Sequence, residues 1–342
     1  RTSEMRGDEV TYAAGARALA DALTGRGGDA SSALTQIIGT GWFMPGMAIV
    51  GAPLYAMWPS APNVLAFAWI GAINAALLAL TIRALAPVIG PAPARLLLLF
   101  PLLAPLWQVG ALWFLPDLPA GLLLTIATAL AWQIGMAMLA GTPPGWRRML
   151  VFEARLVAAL YLRGPMLVAS LGLHAILLAV ALGMAGQRWR LSGPIVAGLI
   201  AFGAALSPWS ITVSRHFDYP IVTTTNFPLV IADGFGDPDR LCDGPCGKGF
   251  DIVPAWEYSR NQAERQGRHP FDIQRAMMAN SLEDLTARGY LARVRQNFSA
   301  FLFAPDERLQ KRLGLSFAVP RQYRSALQKA ALIVTLVLYI PF

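Results

Sequence analysis

The run DLPAGLLLTIATALAWQIGMAMLAGTPPGWRR, residues 117–148, decides the fold. It opens on Asp117, carries no charge from Leu118 to Trp146, and closes on Arg147 and Arg148. A helix needs roughly 20 apolar residues to cross a hydrocarbon core of about 30 Å. The run therefore reads as a membrane span with a direction: the arginine pair marks the cytoplasmic side, and Asp117 stands at the opposite end.

Charge-free runs of similar length flank it at Ala61–Ile82, Leu96–Pro116, Gly164–Gln187 and Leu191–Ser214. Arg83, Arg95, Arg188 and Arg190 fall between them and mark the cytoplasmic side again. Both ends of 149–187 are basic, so it must be a hairpin turning at Arg163-Gly164-Pro165 on the outer side. The same parity forbids Met44–Trp58 from crossing; it reads as re-entrant or interfacial, held by Trp42 and Trp58. Between residues 44 and 213 there are only two acids, Asp117 and Glu153, against eight arginines. Glu153 and Arg155, close in sequence to Arg147, read as a cytoplasmic-side ionic cluster. His174, inside an apolar run, reads as a packed or hydrogen-bonded histidine.

The rest of the chain differs in composition. Of the 48 charged side chains, nine lie in 1–43 and 28 in 214–325. Residues 1–43 read as an outer-face loop with a juxtamembrane helix, since Tyr12, Ala16, Leu19 and Leu23 recur at helical spacing. Residues 44–213 form the transmembrane region. Residues 214–325 read as one soluble outer-face insertion with loops, short extended pieces, and a helix over Asp272–Phe298 weakened at Gly289. Residues 326–342 read as the start of a further transmembrane helix. The chain begins at Arg1 and its last apolar run, Ala330–Phe342, is too short to span. A spanning helix before Arg1 and further helices after Phe342 are therefore expected. The net charge of +8 reflects arginines between apolar runs, not a nucleic-acid surface. Cys242 and Cys246 read either as a disulfide in an oxidising compartment or as two free thiols. The fold class is mainly α: a polytopic helical membrane protein with one soluble insertion.

Six short stretches follow one another in an order that resembles a known family. Arg6-Gly7-Asp8-Glu9-Val10-Thr11-Tyr12-Ala13 is similar to the first outer loop of the GT-C glycosyltransferases, in the branch holding protein O-mannosyltransferases and lipid A aminoarabinose transferases. Met44-Pro45-Gly46 and its apolar run resemble the proline-rich segment that follows. Leu115-Pro116-Asp117-Leu118 resembles the second acidic site, and Leu160-Tyr161-Leu162-Arg163-Gly164-Pro165 a hairpin tip. Ser207-Pro208-Trp209 and Pro220-Ile221-Val222-Thr223-Thr224-Thr225-Asn226 resemble the Pro-Trp helix end and the extended strip beyond it.

The resemblance implies a GT-C-like fold in a bacterial inner membrane, multi-pass, with its active site on the periplasmic face. It implies transfer of a sugar, with inversion, from a polyprenyl-phosphate donor to an acceptor protein, lipid or polysaccharide. Membrane lipids would be partners and nucleic acid would not. Asp8 takes the role of base or metal ligand, Glu9 supports it, and Asp117 is the second acid. A divalent cation would sit on Asp8 and Asp117. Arg163 and Arg215 are the candidate lipid-phosphate contacts; an Arg163 that merely snorkels to the interface is the bland alternative. The chain departs from the family where Thr212 and Val213 replace an Arg-Asn pair and where Phe227-Pro228-Leu229-Val230 follows Asn226. A non-catalytic binder of lipid-linked sugar and a transporter or flippase are the rival readings.

Overall fold

The computed structural model describes residues 4–5, 7–27, 29–97, 112–184, 186–237, 240–242 and 253–303. Among them, all regular structure is helical. The expected span over 96–116, the loop with Cys246 and the apolar tail 330–342 lie largely or wholly outside those residues. The chain divides into two compact units, one built on residues 1–216 and one beginning at Phe217.

The first unit opens with α1 (Asp8–Thr24), α2 (Ala30–Ile38) and α3 (Gly46–Met57). The helix α2 is a second helix in the stretch 1–43, where one was expected, and Asp29 caps it by accepting the backbone N–H of Ser32. At 12 residues and ~1.5 Å rise per residue, α3 is too short to cross a membrane, in keeping with the expectation for 44–58. There follow α4 (Asn63–Ile89), α5 (Pro91–Leu96), α6 (Asp117–Leu139), α7 (Trp146–Leu162), α8 (Met166–Gly183) and α9 (Arg188–Phe217). Of these, α4, α6, α8 and α9 are long and apolar enough to span a membrane. Their outward faces carry exposed Trp132, Val168, Ile176 and Ile200, which water would penalise and lipid tails would solvate.

Gln133 donates to the Ala84 carbonyl at 3.1 Å, while Ala66 and Ile70 share a core with Ala120 and Leu123. So α4 and α6 run side by side in one direction. The helix α6 stops at Leu139 rather than continuing to Trp146. Gly141 adopts φ +76°, and Pro143-Pro144 supply no N–H to extend the ladder. The chain expected as a hairpin over 149–187 folds as α7 and α8 with Arg163-Gly164-Pro165 between them, but only α8 is long and apolar enough to cross a membrane.

The second unit contains α10 (Phe227–Phe235), α11 (Val253–Gln266), α12 (Pro270–Leu282) and α13 (Ala287–Phe303). Its core gathers Leu229, Ala232, Ala263, Ile273 and Met277 around Cys242, which is disulfide-bonded. Thr223, Thr224 and Thr225 are buried in irregular chain, the loop expected there, and among the described residues no strand accompanies it. The helix expected over 272–298 is two helices, broken at 283–286 and not at Gly289. Thr286 Oγ1 accepts the N–H of Gly289 at 3.0 Å, and this side-chain cap starts α13.

Candidate active site

Three distant segments bring the candidate residues together. Gly7, at φ +57°, lets the chain turn directly into α1, so Asp8 is its first residue. Asp117 is the first residue of α6, and Arg163 follows the last residue of α7. The short helix α3 lies between them. A Cβ on Gly46 would sit 2.4 Å from the Tyr161 carbonyl oxygen and 2.7 Å from the Leu162 nitrogen. A Cβ on Gly51 would sit 2.6 Å from the Phe114 ring and 2.8 Å from Ala16. These two glycines let α3 touch the chain just ahead of Arg163, just ahead of Asp117, and the middle of α1.

Glu9 completes the frame. It is 3% exposed, and its Oε1 accepts the backbone N–H of the fully buried Phe114 at 3.2 Å. That bond ties the first turn of α1 to the segment leading into Asp117. Adjacent acids thus do different work: Asp8 faces the cluster, and Glu9 faces the core and positions it.

The guanidinium of Arg163 pairs with the carboxylate of Asp117. Arg163 remains 42% and Asp117 55% exposed, so the pair is open to a ligand. Asp8 keeps an exposed edge, yet the protein packed around it pushes its pKa above the ordinary carboxylate value. The charge of Asp117 acts in the same direction and that of Arg163 opposes both. A carboxylate whose pKa is raised by burial and by a neighbouring carboxylate is a recognisable sign of a site. Tyr12, one turn along α1, is 8% exposed. Its phenol is pushed well above its ordinary range by burial, then by Asp8 and Asp117, against Arg163.

Helix ends add to this field. The helices α1 and α6 begin at the acids, and α8 begins at Met166, three residues after Arg163. A helix N-terminus carries roughly half a positive charge and free N–H groups suited to phosphate. The cluster therefore combines a base-like carboxyl, an arginine with unused donors, and several positive helix ends.

Among the sequence candidates, Asp8, Asp117 and Arg163 are brought together, and Glu9 lies beneath them. Arg215 is exposed near the end of α9, and among the described residues no hydrogen bond or ion pair joins it to the cluster. For a cation, the donor set is Asp8 and Asp117; no group of three or more His, Cys, Asp or Glu is present among the described residues. Two carboxylates fit a hard dication that completes its shell with phosphate oxygens and water. They do not fit structural zinc.

A second polar feature corrects the sequence reading. Glu153 does not join Arg147 or Arg155 in an ionic cluster. It is 6% exposed, and its Oε1 lies 3.0 Å from Nε2 of His174. Arg147 instead lies over the ring of Trp146. No family model matches the chain, and no curated protein or solved structure matches it.

Proposed function

We propose that this chain is a membrane glycosyltransferase of the GT-C type, moving a sugar from a polyprenyl-phosphate donor to an acceptor hydroxyl or amine with inversion. The observation that carries the reading is the meeting of Asp8, Asp117 and Arg163 at the starts of α1 and α6 and the end of α7. Asp8, whose affinity for a proton is raised, takes the proton of the acceptor. The acceptor atom forms its bond to the anomeric carbon on the face opposite the phosphate. The carbon–oxygen bond to phosphate breaks, and its electron pair leaves with polyprenyl phosphate. Arg163 receives the growing phosphate charge with donors that Asp117 does not occupy, and the helix ends reinforce it. Asp117 orients the guanidinium. A divalent cation held by Asp8 and Asp117 would supply further neutralisation of the leaving phosphate.

The disulfide at Cys242 supports placing the second unit in an oxidising compartment, hence on the outer face of a bacterial inner membrane. The sugar acceptor would come from protein, lipid or polysaccharide exposed there.

One observation favours a second reading, a transporter or flippase: His174, midway along the candidate span α8, pairs with an acid, Glu153. A vesicle assay separates the readings. The chain is reconstituted with a labelled polyprenyl-phosphate sugar, and free polyprenyl phosphate is measured beside donor movement across the bilayer. A transferase releases free lipid phosphate, and Asp8→Asn abolishes the release without loss of folded protein. Donor movement without release would establish the flippase. Donor binding with neither would leave a non-catalytic binder, which the changed residues 212–230 would then explain.

A further inference from the structure

Glu153 is the eighth of 17 residues in α7, and His174 the ninth of 18 in α8. Both stand halfway along their helices, ten and eleven residues from Arg163 on the two arms of the hairpin. We propose that they form a buried proton-binding site that holds one proton and clamps the hairpin below Arg163. The site is independent of the transferase reading.

The hydrogen-bond pattern fixes the proton count. Nδ1 of His174 lies 2.8 Å from the carbonyl oxygen of Ser170. A carbonyl oxygen only accepts, so Nδ1 carries a hydrogen. The 3.0 Å contact between Nε2 and Glu153 Oε1 then needs one further proton between them. The pair is either imidazole with carboxylic acid or imidazolium with carboxylate, and both are neutral overall. Removing that proton sets a carboxylate against an imidazole lone pair; adding another leaves a buried cation. Either is costly here, because His174 is 1% exposed and Glu153 6%.

The surroundings close the site. The rings of Phe152 and Phe202 lie 5.4 and 5.8 Å from the imidazole. On α9, a Cβ at Gly198 would fall 2.3 Å from Glu153 Oε1, so the carboxyl rests directly on that backbone. Among the described residues Glu153 Oε2 is buried with no hydrogen-bond partner, which a neutral carboxyl tolerates better than an anion. The other charged groups are few. The only titratable groups of α6, α8 and α9 near this depth are His174 itself; Asp117 starts α6, and Arg188 and Arg190 start α9. Arg147, Arg148 and Arg155 share α7 with Glu153, and none forms an ion pair with it among the described residues.

The test compares variants with wild type in lipid nanodiscs, reading Tm at neutral and mildly acidic pH. His174→Leu strands Glu153 alone. It should lose about 10 °C at neutral pH, on the scale of breaking a buried pair, and recover most of this in acid as Glu153 takes the proton. Glu153→Gln donates its amide N–H to Nε2, so it should stay within a few degrees of wild type at both pH values. If His174→Leu does not fold, the double variant Glu153→Gln/His174→Leu should fold and show no pH-dependent deficit, because the stranded acid is gone. A His174→Leu deficit that is absent, or equal at both pH values, overturns the proposal. So does a Glu153→Gln loss as large as that of His174→Leu, or a double variant no better than the His174 single.

Discussion

Replacing Gly46 by Ala should move Arg163 without touching it. The added Cβ would meet the Tyr161 carbonyl oxygen at 2.4 Å, its carbon at 2.5 Å and the Leu162 nitrogen at 2.7 Å. All three are backbone atoms, so no side-chain rotation relieves the contact. Ordinary contact begins near 3.4 Å, so α3 and the end of α7 must part by about 1 Å. Overpacking of this kind costs ~1–3 kcal/mol. Leu162 directly precedes Arg163, so the displacement is delivered to the ion pair, and a misplacement of about 1 Å can cost on the order of 100-fold in rate. Gly46→Ala should therefore lower Tm by several degrees and cut donor turnover far more than donor binding. Gly121→Ala is the control: it lies on α6 near Asp117, and a Cβ there meets nothing within 4 Å among the described residues. Thermal melts and donor-release rates on both variants in nanodiscs decide the matter. A Gly46→Ala protein that melts and turns over like wild type would refute the idea that α3 sets the position of Arg163.

Other variants separate positioning from chemistry. Glu9→Ala should cost ~1–3 kcal/mol by stranding the buried N–H of Phe114, whereas Glu9→Gln, which keeps an acceptor oxygen, should retain most stability in a chemical melt. Arg163→Ala breaks an exposed pair, so it should change stability by less than about 1 kcal/mol while abolishing release of polyprenyl phosphate; a large stability loss would mark Arg163 as structural. Asp8→Asn tests the sign of the linkage. The folded-state pKa of Asp8 is raised, so its contribution favours folding at low pH and is lost as pH rises through that pKa. The variant should therefore be at least as stable as wild type at neutral pH, with a flatter dependence of Tm on pH on the acid side. A variant less stable at neutral pH than in acid, relative to wild type, would contradict this.

Hydropathy carried the long helices because length and charge-free composition suffice to mark a span. The ends were harder. Helix α6 stops at Leu139 because of glycine and proline geometry, which a hydropathy run does not weigh. Asp8, Asp117 and Arg163 were found through their motifs, and parity alone put them on one face. Gly46 and Gly51 were invisible as contacts, since a close approach between α3, α7 and Phe114 exists only in three dimensions. Glu153 was misassigned by nearness in sequence. Residues two apart on a helix point to different sides, so Arg155 was never its natural partner. A signal was available: Glu153 and His174 lie ten and eleven residues from Arg163, hence at equal depth on a hairpin.

The charge of the cluster imposes a condition on any anionic donor. With both acids ionised, Asp8, Asp117 and Arg163 sum to one negative charge, which repels a phosphate. The helix ends at α1, α6 and α8 offset this in part. Protonating Asp8, or placing a dication beside it, removes the rest. Burial and Asp117 already raise the pKa of Asp8, so the cluster lies closer to that neutral state than an isolated pair of aspartates would. Binding of the polyprenyl-phosphate sugar, a diester whose single charge does not change in this range, should accordingly tighten as pH falls from neutral in the absence of divalent cations. The trend should vanish in Asp8→Asn, which should bind at neutral pH as wild type does in acid. Tryptophan-fluorescence or filter-binding titrations in nanodiscs at constant ionic strength measure it. Donor affinity independent of pH in the wild type, or a pH trend undiminished in Asp8→Asn, would place the phosphate elsewhere and detach Asp8 from the donor.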